Sequence, residues 1–384
     1  MDIARRELLL GGLSLAAGAL SWGGIAAPAL ARGGGPEHRL RALAEARIAP
    51  WEGGSMDELL ALRWMNPEYD LMARTFTALA LGDLAIAWPD LWRDRALAAL
   101  DAMIADTARQ VSDRGPAWFL LPYWGYRDNR GERRSLFVDS ELLLMRAIRR
   151  FLGEDPAHAA ASAELVSAIA RTLVAAPAGM VESYPDECWV FDHASALVAL
   201  KITAAMDGDT HADLRARWLE TARSRLIDAD TGMIVSATDW DGRVVQGPEG
   251  STIWMTAHML RLVDPDFARQ QYTLARTLLG CAPLGFGYAR EWRWGHSGHA
   301  DVDSGPIVPL LGASPSSSGM AILAARSFGD LAFAAALDAS LALAAGPHEA
   351  DGKLVYRASN AVGDAVILAG LSTGPLWDAV GGGA

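Results

Sequence analysis

The chain contains the apolar stretch Ala194-Ser195-Ala196-Leu197-Val198-Ala199-Leu200, which has small and aliphatic side chains on every side. A helix that is apolar all round must be enclosed by other elements, because none of its faces is suited to water. Apolar helical patterns recur along the chain, and each is followed by a second helix. These second helices begin at Pro89, Pro156, Ala212, Pro265 and Asp330.

The alternation predicts helical hairpins arranged in a ring, an all-α (α/α)6 barrel with the apolar helix of each pair inside. Short helices are expected at 38–47 and 57–64. A long helix is expected from Pro67, with Asn66 as its N-cap. The long connections 114–134, 181–192, 228–250 and 285–304 should collect at one end of such a ring. A small β-hairpin is predicted at 232–245, around Asp241-Gly242.

Composition limits the functional classes. The 384 residues are 51% hydrophobic and carry a formal net charge of −12, without a basic run. Because phosphate backbones are bound by clustered cations, nucleic acid is excluded as the expected partner. A small-molecule substrate is expected instead. The sequence leaves the oligomeric state open, a homo-oligomer included.

The N-terminus has the pattern of an export signal. Arg5-Arg6 precede the apolar, glycine- and alanine-rich segment 8–27, and Ala29-Leu30-Ala31 is a small-x-small cleavage site. The arginine pair resembles the twin-arginine (Tat) pattern. We predict a signal peptide at 1–31, removed near Ala31, and a single periplasmic or secreted barrel domain at 32–384. The alternative is an uncleaved membrane anchor.

Reactive side chains are concentrated directly before the apolar helix. The segment 181–193 contains the carboxylates Glu182, Asp186, Glu187 and Asp192. Close carboxylates raise one another's pKa, which allows one of them to stay protonated as a general acid. Asp186 and Asp192 are also placed to cap a helix. Glu182 has no such position and is the best single candidate for catalysis.

The thiol and the imidazole of this segment each have two interpretations. Cys188 is either a small core residue or a nucleophile, and the first is favoured. Cys188 and Cys281 either form a disulfide in an oxidising compartment or remain free. His193, beside Asp192, is either a hydrogen-bonded structural histidine or a substrate contact.

Two further groups of residues are candidates. Tyr69 and Asp70 lie in the first turn of a predicted inner helix, where Asp70 either stabilises the helix dipole or acts as an acid or base. The loop at 285–304 contains Glu291, Trp292 and His296, followed by Asp301 and Asp303.

No metal is predicted at this loop. The Asp301-x-Asp303 pair lacks the glycine and the distal glutamate of a calcium loop, and His296 and His299 lack the zinc-binding H-E-x-x-H context. A helix cap and hydrogen bonds that hold the loop are the favoured interpretation, and contact with substrate is the functional alternative. The expected substrate contacts are Trp124, Trp189, His193, Glu291, Trp292, His296, Asp301 and Asp303.

In the order of its motifs the chain resembles the linalool dehydratase/isomerase family. The residues that carry the resemblance are Met65-Asn66 with Asp70, Gly179-Met180-Val181-Glu182 with Pro185 and Ala194, Leu226-Ile227-Asp228 with Gly232, Asp264-Pro265-Asp266-Phe267, Asp301 with Asp303, and Ala324-Ala325-Arg326 with Gly329-Asp330. The resemblance implies a periplasmic, cofactor-free (α/α)6 barrel with a bowl-shaped site. It also implies acid/base elimination or isomerisation on a small terpene alcohol.

The resemblance places the catalytic aspartate at Asp70 and the central glutamate at Glu182. Val181, Phe191 and Ser140 stand where the family has two cysteines and a histidine. The leading hypothesis is therefore an exported lyase or isomerase that works through carboxyl groups without a cofactor. Asp70 and Glu182 form its acid/base pair, Tyr69 and Tyr184 assist, and Asp192 is the acid at the helix start.

Two other functions remain open. One is a glycoside hydrolase or polysaccharide lyase on the same barrel, because tryptophan-rich loops suit stacking on sugar faces and two carboxylates suit glycoside cleavage. The other is a non-catalytic binding protein. A cleft that is open, acidic and floored by tryptophan would favour sugars, whereas a closed apolar one would favour a small alcohol.

Overall fold

The computed structural model describes residues 35–126, 129–130, 133–296, 306–308 and 310–382. The export signal predicted at 1–31 lies outside these residues. Within them the chain forms α1 (Pro36–Ile48), α2 (Asp57–Met65), α3 (Pro67–Ala87), α4 (Pro89–Arg114), α5 (Leu136–Leu152), α6 (Pro156–Ala175), α7 (Val190–Asp207), α8 (Ala212–Arg225), α9 (Gly250–Leu260), α10 (Pro265–Leu278), α11 (Pro315–Ser327), α12 (Leu331–Ala344), α13 (Ala361–Ser372) and α14 (Pro375–Gly381).

Six helices form a closed inner ring. In the order α3, α5, α7, α9, α11 and α13, each helix packs against the next, and α13 packs against α3. Helices α4, α6, α10 and α12 each pack outside the inner helix that precedes them, and α1 packs against α13 and α3. The (α/α)6 barrel expected from the helix pairs is confirmed.

Burial explains the division between inner and outer helices. Almost every residue of α7 between Val190 and Thr203 is buried, because the helix has ring neighbours on two sides. The outer helix α6 buries only four residues. Full burial of one aliphatic side chain stabilises the fold by roughly 1.5–3 kcal/mol, so the all-apolar pattern of the inner helices strongly favours the ring.

Helix starts follow the sequence signals. The Asn66 side chain accepts the N–H of Glu68 at 2.9 Å, with Pro67 as the first helical residue of α3. Asp155 and Asp264 cap α6 and α10 in the same manner. Because each outer helix reverses the chain, all six inner helices run in one direction, and their N-termini meet at one end of the barrel.

Short strands lie in the connections. The strands β1 (Cys188–Trp189), β2 (Ala237–Thr238) and β3 (Val244–Gln246) form one antiparallel sheet. The hairpin predicted around Asp241-Gly242 is confirmed as the β2–β3 pair. Two further hairpins were not predicted, namely β4 (Gly280–Cys281) with β5 (Tyr288–Ala289) and β6 (Pro347–Ala350) with β7 (Lys353–Tyr356).

The two cysteines are unpaired. Cys188 is buried in β1, and Cys281 is half-buried in β4 of a different sheet. The free-thiol alternative is therefore confirmed and the disulfide is absent. Among the described residues, no helix combines the length and the apolar character needed to span a membrane.

One buried carboxyl links the first inner helix to the end of the chain. Asp83 of α3 accepts the backbone N–H of Leu376 at 2.8 Å, at the start of α14. Burial raises the pKa of Asp83 to about 8, against the opposing effect of this hydrogen bond. The group therefore contributes to stability below its unfolded-state pKa, and this contribution is lost as the pH rises through 8.

We predict that Asp83→Ala lowers the free energy of unfolding by roughly 1–3 kcal/mol at pH 6, because the Leu376 N–H loses its buried acceptor. Asp83→Asn keeps an acceptor oxygen and should be far less destabilising. It should also lose less stability than the wild type between pH 6 and 9. Urea unfolding of the three proteins across this range tests both expectations, and equal losses in the two variants would contradict the proposed link.

Candidate active site

Three carboxyl groups from neighbouring inner helices converge near the N-terminal end of the barrel. Glu68 lies in the first turn of α3, Glu141 in the second turn of α5 and Asp192 in the first turn of α7. They are close enough for the charges of Glu141 and Glu68 to raise the pKa of Asp192. The cluster therefore shares one electrostatic environment.

Asp192 has the properties of a protonated acid. Its side chain is 4% exposed, and it accepts a hydrogen bond from the hydroxyl of Ser183. Burial is the main cause that raises the pKa of Asp192 well above its usual range, and the neighbouring Glu141 and Glu68 add to the rise. The hydrogen bond from Ser183 opposes it. Such a carboxyl can donate a proton near neutral pH.

Glu141 is a second buried carboxyl in this cluster. It is 2% exposed, and burial raises the pKa of Glu141 to about 7. The hydroxyls of Thr75 on α3 and Ser195 on α7 lie near its carboxyl and limit the rise. Glu141 thus changes its charge within the physiological range, which also changes the field at Asp192.

Tyrosines connect the cluster to the barrel opening. The Tyr184 phenol donates a hydrogen bond to Glu68 and accepts the N–H of Leu121 at 2.8 Å. The ring of Tyr123 stacks on that of Tyr184 with centroids 4.6 Å apart. Tyr123 also donates to Glu187 at 3.0 Å. A wall of alternating aromatic rings and carboxylates results.

Trp189 extends this wall. Its indole N–H donates to Glu187 at 3.2 Å, and its ring is half-buried. The wall is positioned by a tight turn in which Asp186 has a positive φ of 63° and Tyr184 forms a bridge to Glu187. The following β1 strand then pairs with β2, so the connection before α7 is fixed at both ends.

Asp70, the predicted catalytic aspartate, lies in a salt-bridge network. It is almost fully buried and contacts the Arg74 Nε at 2.8 Å and the Arg63 Nη1 at 3.7 Å. Arg74 continues to Asp106 and Thr107 on the outer helix α4, at 2.7 and 3.0 Å. These contacts hold the first half of α3 against the second half of α4.

Glu182, the predicted partner of Asp70, holds the connections before α5 and α7. Its carboxylate accepts the backbone N–H groups of Asp186, at 2.8 Å, and of Arg130. Its carbonyl accepts the N–H of Leu136 at the start of α5. These partners differ from those of Asp70, so the structure does not join the two acids in one hydrogen-bonded group.

His193 makes structural contacts through both ring nitrogens. Its Nε2 accepts the Val181 N–H at 2.8 Å, and its Nδ1 donates to the Trp189 carbonyl at 2.6 Å. Burial lowers the pKa of His193 to about 4, so the ring is neutral. Because both ring nitrogens are hydrogen-bonded to backbone groups, the geometry agrees with a structural role for this histidine.

Tyr69 and Trp124 contribute apolar packing. Tyr69 is half-buried against the small cluster of Leu59 and Leu62 from α2. Trp124 is buried in the main core, and its indole N–H has no hydrogen-bond partner among the described residues. Because Trp124 lies in the connection before α5, it stays a candidate for a residue that shapes the site.

The second predicted cluster lies beside α9. Glu291 is buried, and its Oε1 accepts both the N–H and the hydroxyl of Ser251, at 3.0 and 2.6 Å. Burial raises the pKa of Glu291. Trp292 is half-buried, and His296 is exposed with Arg293 at 3.3 Å. Asp301, Asp303 and His299 lie outside the described residues.

Carboxyl groups are the prominent reactive side chains among the described residues of the site. Within the described ranges, no three histidine, cysteine, aspartate or glutamate side chains are grouped to hold a metal ion. The Cys188 thiol is buried, and burial together with nearby acids raises its pKa, which disfavours the nucleophilic thiolate. Protonated and ionised carboxyls in one site suit proton transfer.

Glu68 and Glu141 were not identified from the sequence as site residues. The position of Glu68 in the first turn of α3 suits favourable interaction with the helix dipole, which does not distinguish it from an ordinary helix-start acid. Glu141 directly precedes the apolar run Leu142-Leu143-Leu144 in α5, and this position was the available signal. Its convergence with Asp192 depends on the packing of α5 against α7.

Comparison with solved structures supports the fold. The chain is similar to a GH76 α-mannanase from Bacteroides thetaiotaomicron, with 9% identity, a TM-score of 0.52 and coverage of 81% of this chain and 87% of that one. It is also similar to the unsaturated glucuronyl hydrolase from Bacillus sp. GL1, with 12% identity, a TM-score of 0.51 and coverage of 77% and 84%. No family model and no curated protein sequence matches the chain.

We predict that Glu141→Gln changes the pH dependence of stability. With a folded pKa of about 7, the contribution of Glu141 is complete below its unfolded pKa and is lost as the pH rises through 7. Between pH 5 and 8, the wild type should therefore lose roughly 2–3 kcal/mol more than the variant. Chemical unfolding at both pH values measures the difference, with Glu220→Gln on the outer helix α8 as the control. Parallel pH profiles for wild type and Glu141→Gln would contradict the assignment.

Proposed function

We propose that this protein is a glycoside hydrolase that cleaves its substrate by acid/base chemistry at Asp192 and Glu68. The observation that carries the proposal is the convergence of three carboxyls, with Asp192 held as the proton-bearing member. Glycoside cleavage requires such an acid together with a second carboxylate in a different environment.

The surroundings favour a sugar over a small apolar alcohol. The half-buried rings of Tyr123 and Trp189 lie near the buried Tyr184, and the three side chains donate hydrogen bonds to the carboxylates Glu68 and Glu187. Aromatic faces pack against the C–H faces of sugar rings, and carboxylates accept hydrogen bonds from sugar hydroxyls. The similar structures are named for action on carbohydrates, which agrees with this choice at the level of fold.

The proposed reaction uses the two acids in opposite roles. Asp192 donates its proton to the glycosidic oxygen as the bond from the anomeric carbon to that oxygen breaks. A water molecule adds to the anomeric carbon and gives a proton to Glu68, whose carboxylate the Tyr184 phenol stabilises by hydrogen bonding. Glu141 acts as a positioning residue, because its charge favours the protonated form of Asp192. An exported enzyme, as the N-terminal signal predicts, would meet its glycosides outside the cytoplasm.

We predict that Asp192→Asn lowers kcat at least 10²-fold on any glycoside that the wild type cleaves, because the general acid is lost. The amide keeps an acceptor for the Ser183 hydroxyl, and stability should change little because burial already raises the pKa of Asp192 and favours its neutral form. Release of reducing sugar and thermal unfolding measure the two effects, with Asp213→Asn on α8 as the control. An unchanged kcat would refute the role of Asp192.

A second candidate is elimination or isomerisation on a terpene alcohol, as the resemblance to linalool dehydratase/isomerase implies. The nearly complete burial of Asp192 and Glu141 favours it, since protonation of a small apolar hydroxyl needs only a dry acid. In this reaction Asp192 would protonate the leaving hydroxyl, and an ionised carboxylate would remove a proton from carbon.

The two candidates differ in their products. Incubation of the wild type with linalool, followed by gas chromatography, should give an olefin or an isomeric alcohol if the second candidate is correct, and no conversion if the first is correct. Incubation with glycosides should release reducing sugar if the first candidate is correct, and none if the second is correct. Sugar binding without conversion of either substrate class would favour a non-catalytic binding protein.

A further inference from the structure

The hydroxyl of Ser183 lies between the start of one inner helix and the acid of the next. Ser183 is fully buried in the connection before α7. Its Oγ accepts the backbone N–H of Phe137, in the first turn of α5, at 3.2 Å. The same Oγ is hydrogen-bonded to Oδ2 of Asp192, in the first turn of α7. One hydroxyl therefore joins α5 and α7 at the proposed general acid.

Backbone contacts hold this serine in place. The Ser183 N–H donates to the Glu187 carbonyl at 2.9 Å, and the Glu182 carbonyl accepts the N–H of Leu136 at 3.2 Å. The first two N–H groups of α5, which have no partner within the helix, are therefore both satisfied by residues 182–183. Because a helix N-terminus carries partial positive charge, the Phe137 N–H strengthens the Ser183 hydroxyl as a donor.

The direction of the hydrogen bond to Asp192 follows from the donors and acceptors present. A serine hydroxyl has one hydrogen to donate, and the Phe137 N–H can only use the Ser183 oxygen as an acceptor. Apart from Asp192, the described part of the chain offers no acceptor for the Ser183 hydrogen. If Asp192 donated instead, this buried hydrogen would have no partner, which is costly. Ser183 is therefore the donor and Oδ2 of Asp192 the acceptor.

This direction determines which oxygen of a protonated Asp192 holds the proton. A protonated carboxyl has one O–H group and one carbonyl oxygen, and the acceptor Oδ2 is the carbonyl oxygen. Oδ1 makes no hydrogen bond within the described ranges. The titratable groups that face Asp192 are Glu141 on α5 and Glu68 on α3. Oδ1 is therefore the oxygen available to a substrate.

We propose that Ser183 is a positioning residue that directs the acid proton of Asp192 to Oδ1, the oxygen that delivers it to the substrate. This inference rests on the general-acid role of Asp192 in the proposed function. As the proton leaves Oδ1 for the glycosidic oxygen, the electron pair of the O–H bond stays on the Asp192 carboxylate. Ser183 then donates to an anion, and the partial positive charge at the α5 N-terminus supports this hydrogen bond.

Infrared spectroscopy tests the position of the proton without any substrate. The difference spectrum of wild type minus Asp192→Asn at pH 6 should contain the C=O stretch of one protonated carboxyl. On the Ser183→Ala background this band should move to higher frequency, because the carbonyl oxygen loses its hydrogen bond. Ser236→Ala is the matched control and should leave the band unchanged. The fully buried Ser236 hydroxyl accepts the Glu249 N–H at 3.0 Å in the connection before α9.

Kinetics provide a second readout on a glycoside that the wild type cleaves. Ser183→Ala should lower kcat roughly 10- to 100-fold, because the carboxylate that forms loses a charge-assisted hydrogen bond. The same loss raises the pKa of Asp192, so the basic limb of the kcat/KM profile should move up by roughly one pH unit. A serine that only held the connection would change stability without moving the band or this limb.

A second variant provides for the case that Ser183→Ala does not fold, which circular dichroism would show. Ser183→Cys retains a weak donor of similar size, so the band and the basic limb should shift in the same directions by smaller amounts.

Three results would overturn the inference. They are the absence of a protonated-carboxyl band from the Asp192 difference spectrum, a band that Ser183→Ala and Ser183→Cys leave in place, or an equal shift in Ser236→Ala. The expected band shift without cleavage of any glycoside would support the position of the proton and refute the hydrolase proposal. Cleavage that depends on Asp192, with a band that both Ser183 variants leave in place, would support the hydrolase and refute the role of Ser183.

Discussion

The enclosure of six parallel helices by one another is the constraint on which this protein depends. Each inner helix touches two ring neighbours, and most also contact an outer helix, so a polar side chain inside loses water unless it finds a partner. The chain meets this requirement with alanine- and leucine-rich helices. The carboxyls of Glu141 and Asp192 are therefore conspicuous, because they occupy positions that the same packing would otherwise fill with apolar residues.

Enclosure also determines the chemistry available to those carboxyls. Burial raises the pKa of both groups, and the closeness of Glu141 and Glu68 raises that of Asp192 further. Asp70 is equally buried, but its carboxyl is ion-paired with Arg74. A carboxyl beside a guanidinium and a carboxyl beside other carboxyls are different environments for a group that transfers protons. Burial alone does not identify a catalytic acid, and the partners decide.

The candidate site was only partly predictable. Asp192 and Tyr184 were named from the reactive segment before α7, and both lie in the carboxyl cluster. Glu182 and Asp70, the leading pair from the sequence, are bound to a loop and to an ion-pair network instead. The ion pair of Asp70 with Arg74, four residues later on α3, is a local contact, whereas the hydrogen bond from the Arg130 N–H to Glu182 is a tertiary contact that positions along the chain do not reveal. Glu68 and Glu141 join the candidate site only through the packing of α3, α5 and α7.

The sequence by itself determined the ring. Periodic apolar helices in pairs, caps such as Asn66-Pro67 and the Asp241-Gly242 turn act locally, and local signals are readable along the chain. Only the tertiary structure decided which acids share a site. That choice depends on which faces of α3, α5 and α7 meet, and on whether a carboxyl meets an arginine or another carboxyl there. Pairings between helices far apart in sequence set these contacts, and no local pattern encodes them.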